Sequence, residues 1–321
     1  MSRARNTLPN LAVADAADRP ARARGAGLLA TGLVASLRPE QWTKNLLVFA
    51  GVLFGGRLLD PLAILLAVAA FAVFCALSGA MYLVNDIRDR ETDRRHPLKQ
   101  LRPIASGALS TRTATTAAVA LVAGAEAAAA LVSPMLAAVA AAYVGLLLIY
   151  SIALKHIVIL DVLVIAAGFV LRAIAGAVAV DVPIRPWLLI CTTLLALFLA
   201  LSKRRHELVL LGEGAADHRR ILEEYSPYLL DQMIAVVTAS TVIAYTVFAT
   251  SAETAERLGT ARLGLTLPFV LYGIFRYLYL VHQKRGGGAP AALLLNDRPL
   301  LACVALWAGT VVLLLYTPLG R

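Results

Sequence analysis

Charged residues are scarce in this chain of 321: Asp, Glu, Lys and Arg make up 16%, against 60% hydrophobic residues, and the mean hydropathy is +0.75. A water-soluble globule of this length could not cover its surface with so few polar groups, whereas a bundle solvated by lipid needs no such coat. Cysteine is nearly absent. Cys75, Cys191 and Cys303 all fall inside apolar runs, so the sequence argues against a disulfide framework and reads them as small apolar filler. His206, His218 and His282 have no partner at metal-ligand spacing and are expected at the membrane interface. Gly286, Gly287 and Gly288 do not sit between a strand and a helix, so they read as a flexible loop rather than a phosphate cradle. Nothing points to zinc, a nicotinamide cofactor or a Ser-His-Asp arrangement.

What the chain has is long apolar runs. A crossing helix needs about 20 such residues, and nine runs meet that measure: 42–58, 61–84, 112–132, 134–154, 157–180, 184–202, 228–250, 262–282 and 298–317. The first is the weakest, because Lys44 and Asn45 lie at its start. The fold class expected is therefore an all-α membrane protein, a nine-helix transmembrane bundle over residues 37–321, preceded by a flexible cytoplasmic tail over 1–36. That tail has no continuous hydrophobic core or convincing cleavage site for a signal peptide. Trp42, Trp187 and Trp307 lie near run ends, where an indole anchors between hydrocarbon and headgroups.

The formal charge of +10 is not spread evenly. With nine crossings, twenty-three of the thirty Lys and Arg fall on the face that holds the N-terminus, five on the other and two, Arg172 and Arg276, inside runs. Retention of positive loops then places the N-terminus in the cytoplasm and the C-terminus outside, in a multi-pass protein of the cell (inner) membrane. Because the basic residues sit in loops between apolar runs, the expected partner is the bilayer and not nucleic acid. A homo-oligomer is compatible with the sequence.

One loop is richer than anchoring requires. The stretch VNDIRDRETDRRHPLKQLRPIASG places Asp86, Asp89 and Asp93 at i, i+3 and i+7, on one face of a helix. Three carboxylates there repel one another unless a cation holds them, as a Mg²⁺ site for a phosphorylated substrate would. Asn85 adds a neutral oxygen or a donor. His96, Lys99 and Arg102 follow, with Pro97 and Pro103 ending the helix. Acids that bind metal followed by cations that neutralise phosphate suit a departing diphosphate. Simple juxtamembrane charge accounts for neither the spacing nor the HPLKQLRP tail.

Other charges end neighbouring runs on the same face. Tyr150, Lys155 and His156 close the fourth run, Asp161 opens the fifth, and Lys203, Arg204, Arg205 and Glu207 close the sixth. Anchoring alone would account for many of these cations, but Asp161 reads as functional or paired, since acids near a span are costly. Arg172 lies deep in the fifth run and either reaches a phosphate or serves structure, donating to helix carbonyls or to Glu126. Gly168 and Gly176 on one stripe read as a close-packing surface.

The NDxxDxxxD spacing, the nine-run layout and YSxxLK after the fourth run resemble the UbiA-type superfamily of intramembrane prenyltransferases, from about Leu37 to Leu211. Within it, LRPEQWTKNLLVFA, the acidic loop, LRAIAG and SKRRHEL are most similar to the branch that transfers phosphoribosyl groups to polyprenyl phosphate. The resemblance implies a UbiA-like bundle, Mg²⁺ held by Asp86, Asp89 and Asp93, and phosphoribosyl pyrophosphate as donor. The acceptor would be a polyprenyl (decaprenyl) phosphate and the product a lipid-linked precursor of arabinose for the cell wall. Asp86, Asp89, Lys99 and Arg102 would be catalytic; Lys44, Asn85, Tyr150, Lys155, Asp161, Arg172, Lys203, Arg204 and Glu207 would bind substrate. Superfamily members that act on aromatic acceptors carry a second acidic motif where this chain has Lys203, Arg204, Arg205 and Glu207, a departure that fits two anionic substrates. Polyprenyl transfer from a diphosphate to an aromatic acceptor is the alternative within the same architecture. A transporter is the alternative outside it, disfavoured because only Glu126, Arg172 and Arg276 lie deep in apolar runs.

Overall fold

The computed structural model describes residues 30–96, 99–211, 220–284, 288 and 290–318; the expected roles of Pro97, His218, Gly286 and Gly287 lie outside them. Among the described residues every regular element is helical. Eight helices are long and apolar enough to cross a membrane. Residues 30–37, at the end of the stretch expected as a tail, also form a helix, α1.

The eight follow the apolar runs closely. They are α3 (Pro61–Arg88), α6 (Thr111–Val132), α7 (Pro134–Ile152), α8 (Leu160–Ala179), α9 (Pro186–Leu211), α10 (Pro227–Thr250), α12 (Leu267–His282, led in by a 3₁₀ turn at Arg262–Thr266) and α14 (Arg298–Tyr316). Their starts are locally encoded. Asp60, Ser110, Ser133, Ser226 and Asp297 cap five of them through side-chain oxygens that accept from first-turn N–H groups, which hydrocarbon would otherwise leave unpaired. Pro stands at the start of most of the eight, where its missing N–H costs nothing.

The expected first span, 42–58, is not a continuous α-helix. Pro39–Phe49 is a 3₁₀ helix that passes into a short α2 (Ala50–Phe54). It packs against α3 and α8, so its polar residues face protein instead of lipid: buried Asn45 donates to Ser78 Oγ and Cys75 Sγ, both at 3.2 Å. The 3₁₀ form rises about 2.0 Å per residue, so eleven residues reach roughly 22 Å where an α-helix would reach about 16 Å. Close packing requires Gly176, since a Cβ there would lie 1.8 Å from the Val48 carbonyl oxygen. This bears out the packing reading of Gly176.

Successive helices pack against one another, α3 on α6, α6 on α7, α7 on α8, α8 on α9, α9 on α10 and α12 on α14. The broken segment runs the length of this ring. Arg38 meets Asp86 at the C-terminal end of α3, while the Val52 and Leu53 carbonyls accept from Tyr316 Oη at the end of α14, at 3.1 and 2.7 Å. The bundle thus has an acidic-loop end and a far end, and the helices surround a cavity of about 1320 Å³.

Candidate active site

The acidic loop forms where α3 stops. Asp89 leaves helical geometry (φ −89°, ψ 6°) and the chain restarts as α4 (Arg90–Arg95). The backbone bonds Asp89 N–H to Asn85 O (2.8 Å) and Asp93 N–H to Asp89 O (2.7 Å) carry the spacing across the kink. Asp86 and Asp93 are buried, and one nitrogen of Arg102 donates to both, at 3.1 and 2.6 Å. Arg38 donates a second charged bond to Asp86 and stacks over Tyr82, 4.7 Å from its ring centre. Arg38 takes φ +53°, a left-handed conformation rare outside glycine, as the chain turns from α1 into the 3₁₀ segment. Asp89, more exposed, accepts from Lys155 at 2.9 Å. Lys155 lies on the turn Leu154–His156 after α7. The acids therefore face a ring of three cations.

Below this ring opens the cavity. Lys44, Asn85, Tyr150 and Lys203 line its acidic-loop end, and its length is mainly apolar. Two buried networks hold its walls. Arg172 spends its guanidinium on Asn45 Oδ1 (2.7 Å), the Gly168 carbonyl (2.9 Å) and Tyr143 Oη (2.6 Å), tying α8 to α7 and the 3₁₀ segment. Asp161, fully buried, accepts from Arg204 Nε at 2.6 Å and Tyr225 Oη at 2.8 Å. Arg204 continues to Glu207 at 2.6 Å, and Lys203 lies 3.7 Å from the same carboxylate. Burial pushes the Tyr225 phenol up to about 12, with the Asp161 carboxylate also raising it, so it stays protonated and donates.

Residues 45–296 match the UbiA prenyltransferase family. The chain belongs to that family. It is 35% identical over 294 residues to a decaprenyl-phosphate phosphoribosyltransferase of Corynebacterium glutamicum, covering 90% of this chain and 88% of the relative. It is 36% identical over 306 residues to one of Mycolicibacterium smegmatis, covering 90% and 93%. Among solved structures, a UbiA homologue from Archaeoglobus fulgidus bound to GPP and Mg²⁺ superposes with a TM-score of 0.68 at 19% identity, over 87% of this chain and 98% of that one. The same homologue bound to Cd²⁺ gives 0.65 at 18% identity, over 87% and 97%. These likenesses in structure establish the fold.

Placed in the UbiA fold, the residues singled out from the sequence divide into three groups. Asp86, Asp89, Asp93, Arg102 and Lys155 are joined by ion pairs in and around the acidic loop. Lys44, Asn85, Tyr150, Arg172 and Lys203 line the cavity. Asp161, read from sequence as functional or paired, is paired with Arg204 inside the protein, and Glu207 accepts from Arg204. The pairing ties the end of α9 to the start of α8, and a buried charge of this kind depends on its partner. Lys99 lies on the short turn Lys99–Leu101 within the acidic loop. Arg172 does not reach Glu126, whose Oε1 is buried without a hydrogen-bond partner among the described residues.

Sequence reasoning missed Arg38, Tyr82, Tyr143 and Tyr225 as site or support residues. Only Arg38 left a signal, as a cation directly before Pro39 in the LRPEQW segment. Trp187 and Trp307 line the cavity rather than serving only as anchors, and Trp307 Nε1 donates to Tyr245 Oη at 2.9 Å. The Asn85 oxygen accepts from Ser151 at 2.6 Å, while its side-chain NH₂ donates to no partner among the described residues. Among the described residues no three His, Cys, Asp or Glu side chains converge as a ready metal set. The donor chemistry still fits a hard divalent cation: Asp86 and Asp93 already share one positively charged nitrogen, and Asp89 stands between them in the chain.

Proposed function

We propose that this UbiA-family protein transfers a 5-phosphoribosyl group from phosphoribosyl pyrophosphate to a polyprenyl phosphate such as decaprenyl phosphate, releasing diphosphate. The observation that supports this reading most is charge at the acidic-loop end of the cavity, where Lys44 and Lys203 face the space beside Asn85 and Tyr150. Two anionic substrates meeting at one mouth need cations there. The agreement of the chain with decaprenyl-phosphate phosphoribosyltransferases over nine-tenths of its length is in keeping with it.

In this reading the C1–O bond to diphosphate breaks, its electron pair leaves with diphosphate, and an oxygen of the polyprenyl phosphate forms the new C1–O bond. The acceptor is already ionised at neutral pH, so no strong base is required and positioning dominates. Attack from the face opposite the leaving group inverts the anomeric centre. A Mg²⁺ ion held by Asp86, Asp89 and Asp93 would supply charge neutralisation at the diphosphate. Arg102 and Lys99 take up the charge that grows on the leaving group, and Arg38 positions Asp86. Lys44 and Lys203 receive the substrate phosphates, and the apolar length of the cavity shelters isoprenoid units. Removing one such donor commonly costs 10²–10³ in rate, or about 3–4 kcal/mol.

In this reading the acidic-loop end faces the cytoplasm, and the 3₁₀ segment with α2 counts as the first of nine passes beside the eight long helices. Purified protein incubated with ribosyl-labelled phosphoribosyl pyrophosphate, decaprenyl phosphate and Mg²⁺ is expected to move label into the organic phase. Label that stays aqueous, while a polyprenyl diphosphate and an aromatic acid react, would assign the protein to aromatic prenylation instead.

A further inference from the structure

The far mouth of the cavity carries charge that the reaction does not use. Arg185, just before α9, and Arg257, on α11 (Ala252–Leu258), both line the cavity at the end opposite the acidic loop. Arg57 at the same end is paired with Asp60 at 3.1 Å. Neither Arg185 nor Arg257 forms an ion pair or donates a side-chain hydrogen bond among the described residues, although exposed Asp181 and Glu253 lie nearby in the chain. Partial burial lowers the Arg257 pKa and the charge of Arg185 lowers it further, against a smaller opposing pull from the Glu253 carboxylate, so the two guanidinium groups are close enough to repel. Behind them the wall is Phe54, Trp187, Phe248 and Trp307.

Two cations that neighbour each other, with only the Glu253 carboxylate one helical turn from Arg257 offsetting them in part, lie at the ends of spans backed by aromatic hydrocarbon and describe a receptor for an amphiphilic anion. The isoprenoid tail of the proposed acceptor ends in hydrocarbon and offers no charge at this depth. We propose that Arg185 and Arg257 form a second anion site at the far mouth, taking the phosphate of an anionic phospholipid from that leaflet, whose acyl chain enters the outer part of the cavity. Arg185 and Arg257 lie at the end of the cavity away from the acidic loop and take no part in the transfer step, so failure of this site would leave the phosphoribosyl reading standing.

The full chain, reconstituted in nanodiscs of phosphatidylcholine with or without phosphatidylglycerol, tests this by native mass spectrometry and thermal unfolding. Phosphatidylglycerol is expected to remain bound after partial delipidation and to raise the unfolding temperature of the wild type. An Arg185→Gln/Arg257→Gln variant should bind it roughly tenfold or more weakly, and Arg185→Lys/Arg257→Lys should keep much of the effect. Equal retention by wild type and the Gln variant would overturn the proposal. So would a wild type indifferent to phosphatidylglycerol, a result that needs no variant to fold. Stabilisation by inorganic phosphate equal to that by phosphatidylglycerol would also overturn it, identifying a free-anion site instead.

Discussion

At the scale of single residues, two kinds of buried acid stand a short distance apart and should respond differently to the same change. Asp86 is held by Arg38 and Arg102, both of which reach water, whereas Asp161 is sealed in with Arg204. Asp86→Asn is expected to lower turnover at least about 10²-fold while the protein inserts and unfolds near the wild-type temperature. Asp161→Asn leaves Arg204 buried and under-compensated, at a cost of about 3–5 kcal/mol, and should appear as a large fall in unfolding temperature. Similar losses of stability in both would contradict the division between site and support. From sequence Asp86 stands out by its spacing to Asp89 and Asp93, whereas Asp161 is a lone carboxylate at a span end that could be functional or paired. What the sequence does not give is the partner of each, Arg204 at a separation of 43 residues and Arg38 at 48.

At the scale of elements, the long spans were legible because hydropathy and capping residues agree on where each begins. The 3₁₀ segment was not. A run holding Lys44 and Asn45 looks like a poor α-helical span by composition, and its geometry depends on Asn45 meeting Arg172, 127 residues away, and on Val48 fitting over Gly176. Gly176→Ala should force these backbones apart, lowering stability by about 1–3 kcal/mol as an overpacked contact does. Arg172→Lys, which cannot reproduce the planar fork to three acceptors, should cost about as much. Thermal unfolding in detergent measures both; unchanged transitions would mean that the segment is held by something other than this contact.

At the scale of the whole molecule, the UbiA fold places acids and cations at one end and an apolar cavity through the middle, so the account depends on which end faces the cytoplasm. Glu91→Cys at the acidic loop and Leu59→Cys at the far end, both at exposed positions, report this through a membrane-impermeant maleimide. In intact cells Leu59→Cys is expected to label, and Glu91→Cys only after permeabilisation; the reverse pattern would invert the topology. The charge asymmetry of the loops gives the orientation that this labelling tests, whereas the cavity was not readable from sequence, because separate stretches of chain from Thr43 to Leu315 must close around it. The most direct measurement is calorimetric titration of phosphoribosyl pyrophosphate into the purified protein, with and without Mg²⁺, for wild type, Asp86→Asn and Lys203→Ala. Binding should require Mg²⁺, vanish in Asp86→Asn and weaken in Lys203→Ala. Undiminished binding without a divalent ion, or in Asp86→Asn, would contradict the assignment of the acidic loop.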